Sequence, residues 1–159
     1  MRRTKIAVLD NIPEYDSWLE VAKTYNKCQR LLTSRLDALG LSVPRYEVLL
    51  AVAREEGLMQ RSLARRLLSA KSNVTTLLQR LEEMRLVRRE PDPNDARGQR
   101  VYLTDEGRRL MRQGAKAQAS VVLLMMEGLD AREIAGFDRV NRKVGANLDE
   151  ALERPGANV

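Results

Sequence analysis

Apolar residues along this chain recur mostly at steps of three and four, the spacing of a buried helix face. Trp18, Val21, Tyr25, Cys28, Leu32, Leu36 and Leu39 form the first such stripe. Asn11 and Pro13 sit where a cap and a first helical turn belong, and Gly40 supplies a stop. Ser42-Val43-Pro44 restarts a helix, whose apolar positions Tyr46, Leu49, Leu50, Val52 and Ala53 run out before Gly57. Two short faces follow. Leu63, Ala64, Leu67 and Leu68 make one, Val74, Leu77, Leu78, Leu81 and Met84 make the other, and Ser69-Ala70-Lys71-Ser72 divides them. Two short helices around a few polar residues predict a helix-turn-helix.

The period then changes. "LVRRE" and "RVYLT" alternate as strands do, and they flank "PDPNDARGQ", whose prolines, Asn-Asp pair and Gly predict a reversal. Thr104 with Asp105 and Glu106 opens a long helix that puts acidic residues near its positive end. Its apolar positions are Leu110, Met111, Val121, Val122, Leu124 and Met125. Asp130 caps a last helix, in which Ile134, Phe137, Val140, Val144, Leu148 and Leu152 keep helical spacing, and "ERPGANV" predicts a frayed tail. The expected fold is mainly α: a winged helix-turn-helix core with a two-stranded wing hairpin, flanked by long N- and C-terminal helices. Residues 12–40 are expected to be a dimerisation helix, 41–103 a DNA-binding domain and 104–155 two further dimerisation helices. The outer helices are too amphipathic to stand alone, so they are expected to bury their stripes against each other and against a second copy of the chain.

Composition narrows the function. The formal net charge is +6 over 159 residues, a balance that suits a polyanionic partner. No run of about 18 apolar residues is present to span a bilayer. The apolar stretch Ile6–Leu9 is too short for a signal peptide, and the single cysteine, Cys28, has no internal disulfide partner, so a cytoplasmic protein is expected. The chain has no histidine, which removes the commonest general base and metal ligand. With one cysteine, thiolate-rich zinc sites are excluded as well. No phosphate-binding glycine loop or nucleophile elbow appears. Neither a metal nor a cofactor is expected, and an enzyme built on carboxylates is left as the rival class.

The second helix of the helix-turn-helix has an unusual outer face. Ser72, Asn73, Thr75, Thr76, Gln79 and Arg80 are short or medium side chains rich in donors and acceptors, whereas Glu82-Glu83 one turn later reads as an ordinary solvated face. Asn and Gln suit adenine, and the Thr methyl suits a thymine methyl, so this helix is expected in a major groove. In the hairpin, Arg97 and Arg100 are expected near phosphates or the flanking minor groove, with Asp95 orienting the Arg97 guanidinium. Arg61 and Lys71 are expected on phosphates too. The alternative for the Asp95–Arg97 pair is plain stiffening of the loop.

These residues carry a resemblance. "DPNDARGQRVYLTDEG" resembles the wing signature of the multiple-antibiotic-resistance regulator (MarR) family at Asp95, Arg97, Val101, Leu103, Thr104 and Gly107. "LARRLLSAKSNVTTLLQRLEEMRLVRR" is similar to that family's helix-turn-helix. The resemblance implies a homodimeric, ligand-responsive DNA-binding regulator, usually a repressor, that reads pseudo-palindromic duplex sites. The chain departs from the pattern at Ala96, where the family often has Arg, and at Arg85, where it usually has Gly. The second departure predicts a locally different helix exit, because a side chain is strained in the left-handed region.

The resemblance also implies an effector crevice between the helical dimer region and the winged domain. Trp18, Tyr25 and Tyr46 are its candidate walls for an aromatic effector, and Arg30 or Arg45 the candidate holder of an anionic head group. The competing reading places these aromatics in the core. Cys28 raises an oxidant-sensing alternative, against which stands its place on an apolar stripe.

Overall fold

The computed structural model describes residues 9, 11–67 and 74–154. Helix α1 spans Tyr15–Asp37, α2 Val43–Arg54, α3 Gln60–Arg66 and α4 Val74–Glu83. Strands β2 (Val87–Asp92) and β3 (Asp95–Leu103) form the wing, and helices α5 (Asp105–Met126) and α6 (Ala131–Glu153) follow. A short strand β1, Leu58–Met59, pairs with β3 and completes a three-stranded antiparallel sheet of order β1-β3-β2. The mainly helical, winged helix-turn-helix architecture is the one the periodicities predict. The third strand was not foreseen, because two residues carry no readable period.

The chain divides into two compact units after Val121. In the first, Leu32 and Leu36 of α1, Tyr46 and Leu49 of α2, Leu78 and Leu81 of α4, and Val101 and Leu103 of β3 belong to one buried cluster. Leu110 and Val121 of α5 join it, so residues 12–40 and 104–121 pack in the same unit as 41–103. The second unit holds α6, whose start is secured by a reciprocal cap. The Asp130 carboxylate accepts the N–H groups of Arg132 and Glu133 at 2.7 and 2.8 Å, while Glu133 accepts the Asp130 N–H at 2.8 Å. No described residue of α6 is buried.

Two helix boundaries differ from the sequence reading in instructive ways. Asn11 is not the cap of α1; turns closed by Ile12 N–H to Leu9 O and Tyr15 N–H to Ile12 O, both 3.1 Å, push the start to Tyr15. At the exit of α4 the expected local difference does not occur. The Leu86 N–H reaches back to Leu81 O at 2.8 Å with Arg85 at φ +57°, the same geometry that Gly40 supplies at φ +70° where the Leu41 N–H returns to Leu36 O at 3.0 Å. Satisfying the last carbonyls of the helix outweighs the strain at Arg85. The predicted tail beyond residue 154 lies outside the described residues.

The exit of α4 is joined directly to the start of α5. The Thr104 hydroxyl donates to Arg85 O at 2.7 Å and accepts the Gly107 N–H at 3.0 Å, capping α5 at its third residue. The Thr104 N–H adds a bond to Leu86 O at 3.1 Å. Gly107 lies so close that a β-carbon there would stand 1.9 Å from the Leu86 carbonyl oxygen. The Thr104 and Gly107 of the wing signature therefore have a mechanical reason: they make this joint.

Candidate nucleic-acid interface

Helix α4 presents its polar side because its apolar side is fixed. Val74, Leu78 and Leu81, at steps of four and three, are buried. Thr75, Thr76, Gln79 and Arg80 are consequently exposed. Lys71, Ser72 and Asn73 lie outside the described residues. Glu83, read from the sequence as merely solvated, engages this face: its carboxylate accepts Arg80 Nη1 at 2.9 Å and Gln79 Nε2 at 3.4 Å. Glu82 is half-buried and paired with Arg89 of β2, so it too departs from the solvated face expected of it.

The wing is tighter than the sequence suggested. Strand β3 begins at Asp95, so most of "NDARGQR" is strand and the reversal is confined to Pro93 and Asn94, with a register shift between Pro91 and Asp92. Asp92, which the sequence reading passed over, organises the tip. Its buried carboxylate accepts the Asn94 N–H at 2.7 Å and the Arg100 Nη2 at 2.9 Å. An Asp two residues before the N–H it captures is a recognised turn signal, and "DPN" carries it.

That geometry gives Arg100 a different role from the one expected and gives Asp95 a partner that the sequence did not suggest. Arg100, expected on phosphate, is turned inward: besides Asp92, it donates Nη1 to Gly57 O at 3.1 Å. A buried carboxylate draws the nearest cation because an unpaired one is costly to desolvate. Asp95 accepts Arg61 Nη1 at 2.9 Å, tying the first turn of α3 to the wing. Arg61 remains largely exposed, so it keeps donors for an anion. The backbone of Arg97 lies in β3; its side chain is outside the description, and so is the expected orientation of its guanidinium by Asp95. On the outer edge, the Arg88 guanidinium stacks 4.7 Å over the Tyr102 ring directly opposite it in the ladder.

The five candidate effector residues are not brought together. Tyr46 lines a cleft of about 410 Å³ with Gln29, Glu47, Leu50, Arg54, Arg66 and Gln118, among others. Its ring lies against Gly114 of α5, where a β-carbon would sit 2.5 Å from Tyr46 Cδ2, and its hydroxyl donates to Gln118 Oε1 at 2.7 Å. Burial pushes the Tyr46 hydroxyl above the usual phenol range, against an opposing pull from Arg54. Trp18 and Tyr25 are instead 60% and 57% exposed, in neither the cleft nor the core, and Trp18 stacks on Tyr15 with centroids 5.6 Å apart. They lie on the part of α1 that precedes its buried residues, Leu32 and Leu36. Arg30 sits in a shallow groove along α1 with Asn26 and Thr33. Arg45 is half-buried at the start of α2 and does not line the cleft. The cations in the cleft are Arg54 and Arg66, with Arg66 also paired to Glu55 at 2.5 Å. Arg54 was legible: at eight residues from Tyr46 it shares that helix face. Cys28 is half-buried beside the apolar cluster.

Among the described residues no helix is long and apolar enough to cross a membrane, and no group of three or more acidic or cysteine side chains is placed to hold a metal ion. Residues 39–98 match the family model described as MarR family. The transcriptional regulator HosA of Escherichia coli O111:H- is 34% identical over 104 residues, which span 65% of this chain and 77% of that protein. A crystal structure of a MarR mutant from E. coli complexed with operator DNA matches with a TM-score of 0.75 and 25% identity, over 88% of this chain and 99% of that one. The PcaV regulator from Streptomyces coelicolor, solved in complex with its natural ligand, matches with a TM-score of 0.67 and 26% identity, over 92% of this chain and 98% of that one.

Proposed function

The chain belongs to the MarR family of DNA-binding transcriptional regulators, and from that premise we propose that it is a homodimeric repressor that a small effector releases from duplex DNA. The observation that carries the DNA reading is the exposed polar side of α4, made up of Thr75, Thr76, Gln79 and Arg80, standing beside a braced basic wing. In this reading Ser72, Asn73, Thr76 and Gln79 touch base edges, Arg61, Lys71 and Arg80 meet phosphates, and Arg97 lies toward the flanking minor groove. Arg100 holds the wing rather than the DNA. The relatives solved with operator DNA and with a ligand support both halves of the proposal by analogy.

Dimerisation rests on apolar exposure. On α6, Phe137, Val140, Val144, Leu148 and Leu152 are each about half exposed or more, and on α1 Trp18, Val21 and Tyr25 are likewise uncovered. A lone amphipathic helix with no buried face is not stable in water, so a second copy is the economical cover. Such obligate interfaces bury roughly 2,000 Å² or more. A pseudo-palindromic site follows from the two-fold symmetry of that assembly. For the effector, the Tyr46 cleft with Arg54 and Arg66 suits a small aromatic anion.

Enrichment of duplexes from a randomised library, with binding then titrated against salt, tests the proposal. The expected result is an inverted repeat and an affinity that falls steeply with salt, by about 0.9 log units per log unit for each phosphate neutralised. Arg97→Ala is expected to weaken binding about tenfold or more with the fold intact. A monomer in sedimentation at micromolar concentration would remove the dimer, and absence of any enriched sequence would remove specific recognition.

A further inference from the structure

The apolar seat of α4 decides which side faces outward but leaves the exact roll of that side loose. Hydrophobic packing is non-directional, and a helix of ten residues on a stripe of three buried side chains has freedom to roll. Two polar contacts restrict that roll. Thr75 and Glu82 stand seven residues apart, two turns along the same side of α4 and about 10 Å from one another. Gln60, the first residue of α3, donates Nε2 to Thr75 Oγ1 at 3.4 Å. Arg89 of β2 pairs through Nη2 with Glu82 Oε2, and through Nη1 it reaches Gln60 Oε1 at 3.4 Å. Both ends of the helix are thus held by one connected pair of side chains, rooted in α3 and in the wing.

We propose that Gln60 and Arg89 form a strap that sets the roll of the recognition helix relative to the wing, and so determine sequence specificity without touching DNA. Arg89 and Glu82 are each less than a third exposed, so the pair is shielded from much of the screening that weakens surface ion pairs. The hydrogen bond that Arg89 donates to Glu82 strengthens the guanidinium's hold on its proton, outweighing desolvation. Arg89 suits the position because a planar guanidinium offers separate nitrogens to Glu82 and Gln60 in fixed directions, which an ammonium does not. Groups that read base edges work within a tolerance of roughly 0.5 Å, so a small roll displaces Thr76 and Gln79 from the edges while leaving phosphate contacts available. The strap rests on the DNA-binding reading given above.

The experiment uses the full chain, a duplex enriched by the unaltered protein, and a random-sequence duplex of equal length. Arg89→Met keeps the apolar stem, and Gln60→Ala removes no charge. Both variants are expected to lose about tenfold affinity for the enriched duplex. On the random duplex they should match the unaltered protein, with the same salt slope. If both duplexes are lost together and the slope falls by about one, Arg89 is a phosphate contact and the strap is refuted. Unchanged affinity on both duplexes refutes it equally. Should Arg89→Met fail to fold, Gln60→Ala carries the test alone, read against its own melting temperature. If the unaltered protein enriches no sequence, the DNA-binding reading fails instead, and that result is visible before any variant is measured.

Discussion

Arg85 offers a direct test of how helix α4 ends. It sits at φ +57°, and its amide helps close the helix by donating to Glu82 O at 2.8 Å. An L-residue in the left-handed region costs about 1–2 kcal/mol relative to glycine. Arg85→Gly removes that cost. Glycine's greater freedom in the unfolded chain takes back about 0.5–1 kcal/mol, and losing a cation near the negative end of α4 takes back a few tenths more, about 0.3 kcal/mol for an exposed side chain. The net expectation is a gain of about 0.5 kcal/mol. For a chain of this size that is a rise in Tm of about 1–2 °C. A single small shift is weak evidence, so Arg85→Ala is the necessary companion. It deletes the same cation but keeps a β-carbon in the left-handed region. The Gly variant should exceed the Ala variant by about 1 kcal/mol, a difference of about 2–4 °C. Melting followed by circular dichroism at one fixed protein concentration reads both. Equal melting temperatures for Gly and Ala would mean that the residue is not held at positive φ in solution, and the joint described above would lose its entry point. Affinity for an enriched duplex should be unchanged in the Gly variant, because the helix exit keeps its path.

Three further outcomes follow from particular contacts. Gly107→Ala places a β-carbon against the Leu86 carbonyl and should destabilise by about 3 kcal/mol in chemical denaturation; a cost under 1 kcal/mol would show that the joint yields easily. Arg100→Met strands the buried Asp92 carboxylate and should lower stability by about 1–2 kcal/mol, a value reduced for the partial exposure of Arg100, while the DNA salt slope stays unchanged; a slope lower by one would put Arg100 on phosphate after all. Tyr46, whose hydroxyl burial holds above the usual phenol range, favours folding in its protonated form, so its contribution is complete at neutral pH and is lost as pH rises through its folded value above 10. Tyr46→Phe should cost about 1 kcal/mol at neutral pH through the lost bond to Gln118 and flatten the alkaline limb of the stability profile; an unchanged alkaline limb would assign the transition to another group.

Much of the architecture was legible because it rests on period. The stripe through Leu32 and Leu36, the face Val74–Leu78–Leu81 and the alternation in "RVYLT" each fix an element by which side must be buried. The polar face of α4 was legible for the same reason, as the complement of its apolar one. What escaped were choices of partner. Asp95 takes Arg61 from 34 residues away, a partner that sequence spacing does not suggest, and Arg100 takes Asp92 across the hairpin. Those pairings depend on the pleat, the bulge near Asp92 and the short strand β1, none of which leaves a periodic trace. The effector candidates lie apart for a similar reason. Aromatic type drew attention to Trp18 and Tyr25, but only Tyr46 lies where α2 and α5 come together, at Gly114.

The joint at Thr104 closes a loop in the chain. Its last ladder pair is Val87 with Leu103, and the Thr104 N–H to Leu86 O bond ties the two ends of the hairpin just beyond it. Residues 87–103 are therefore an excursion that leaves and returns to one point, and the line from α4 into α5 runs past it almost without interruption. Wing length is then a free variable of the design. Two residues added to each strand near Pro93 would extend the wing by about 6–7 Å while the handover from α4 to α5 stays the same. The reach of the wing can drift or be engineered at its tip without moving the point at which α4 hands over to α5.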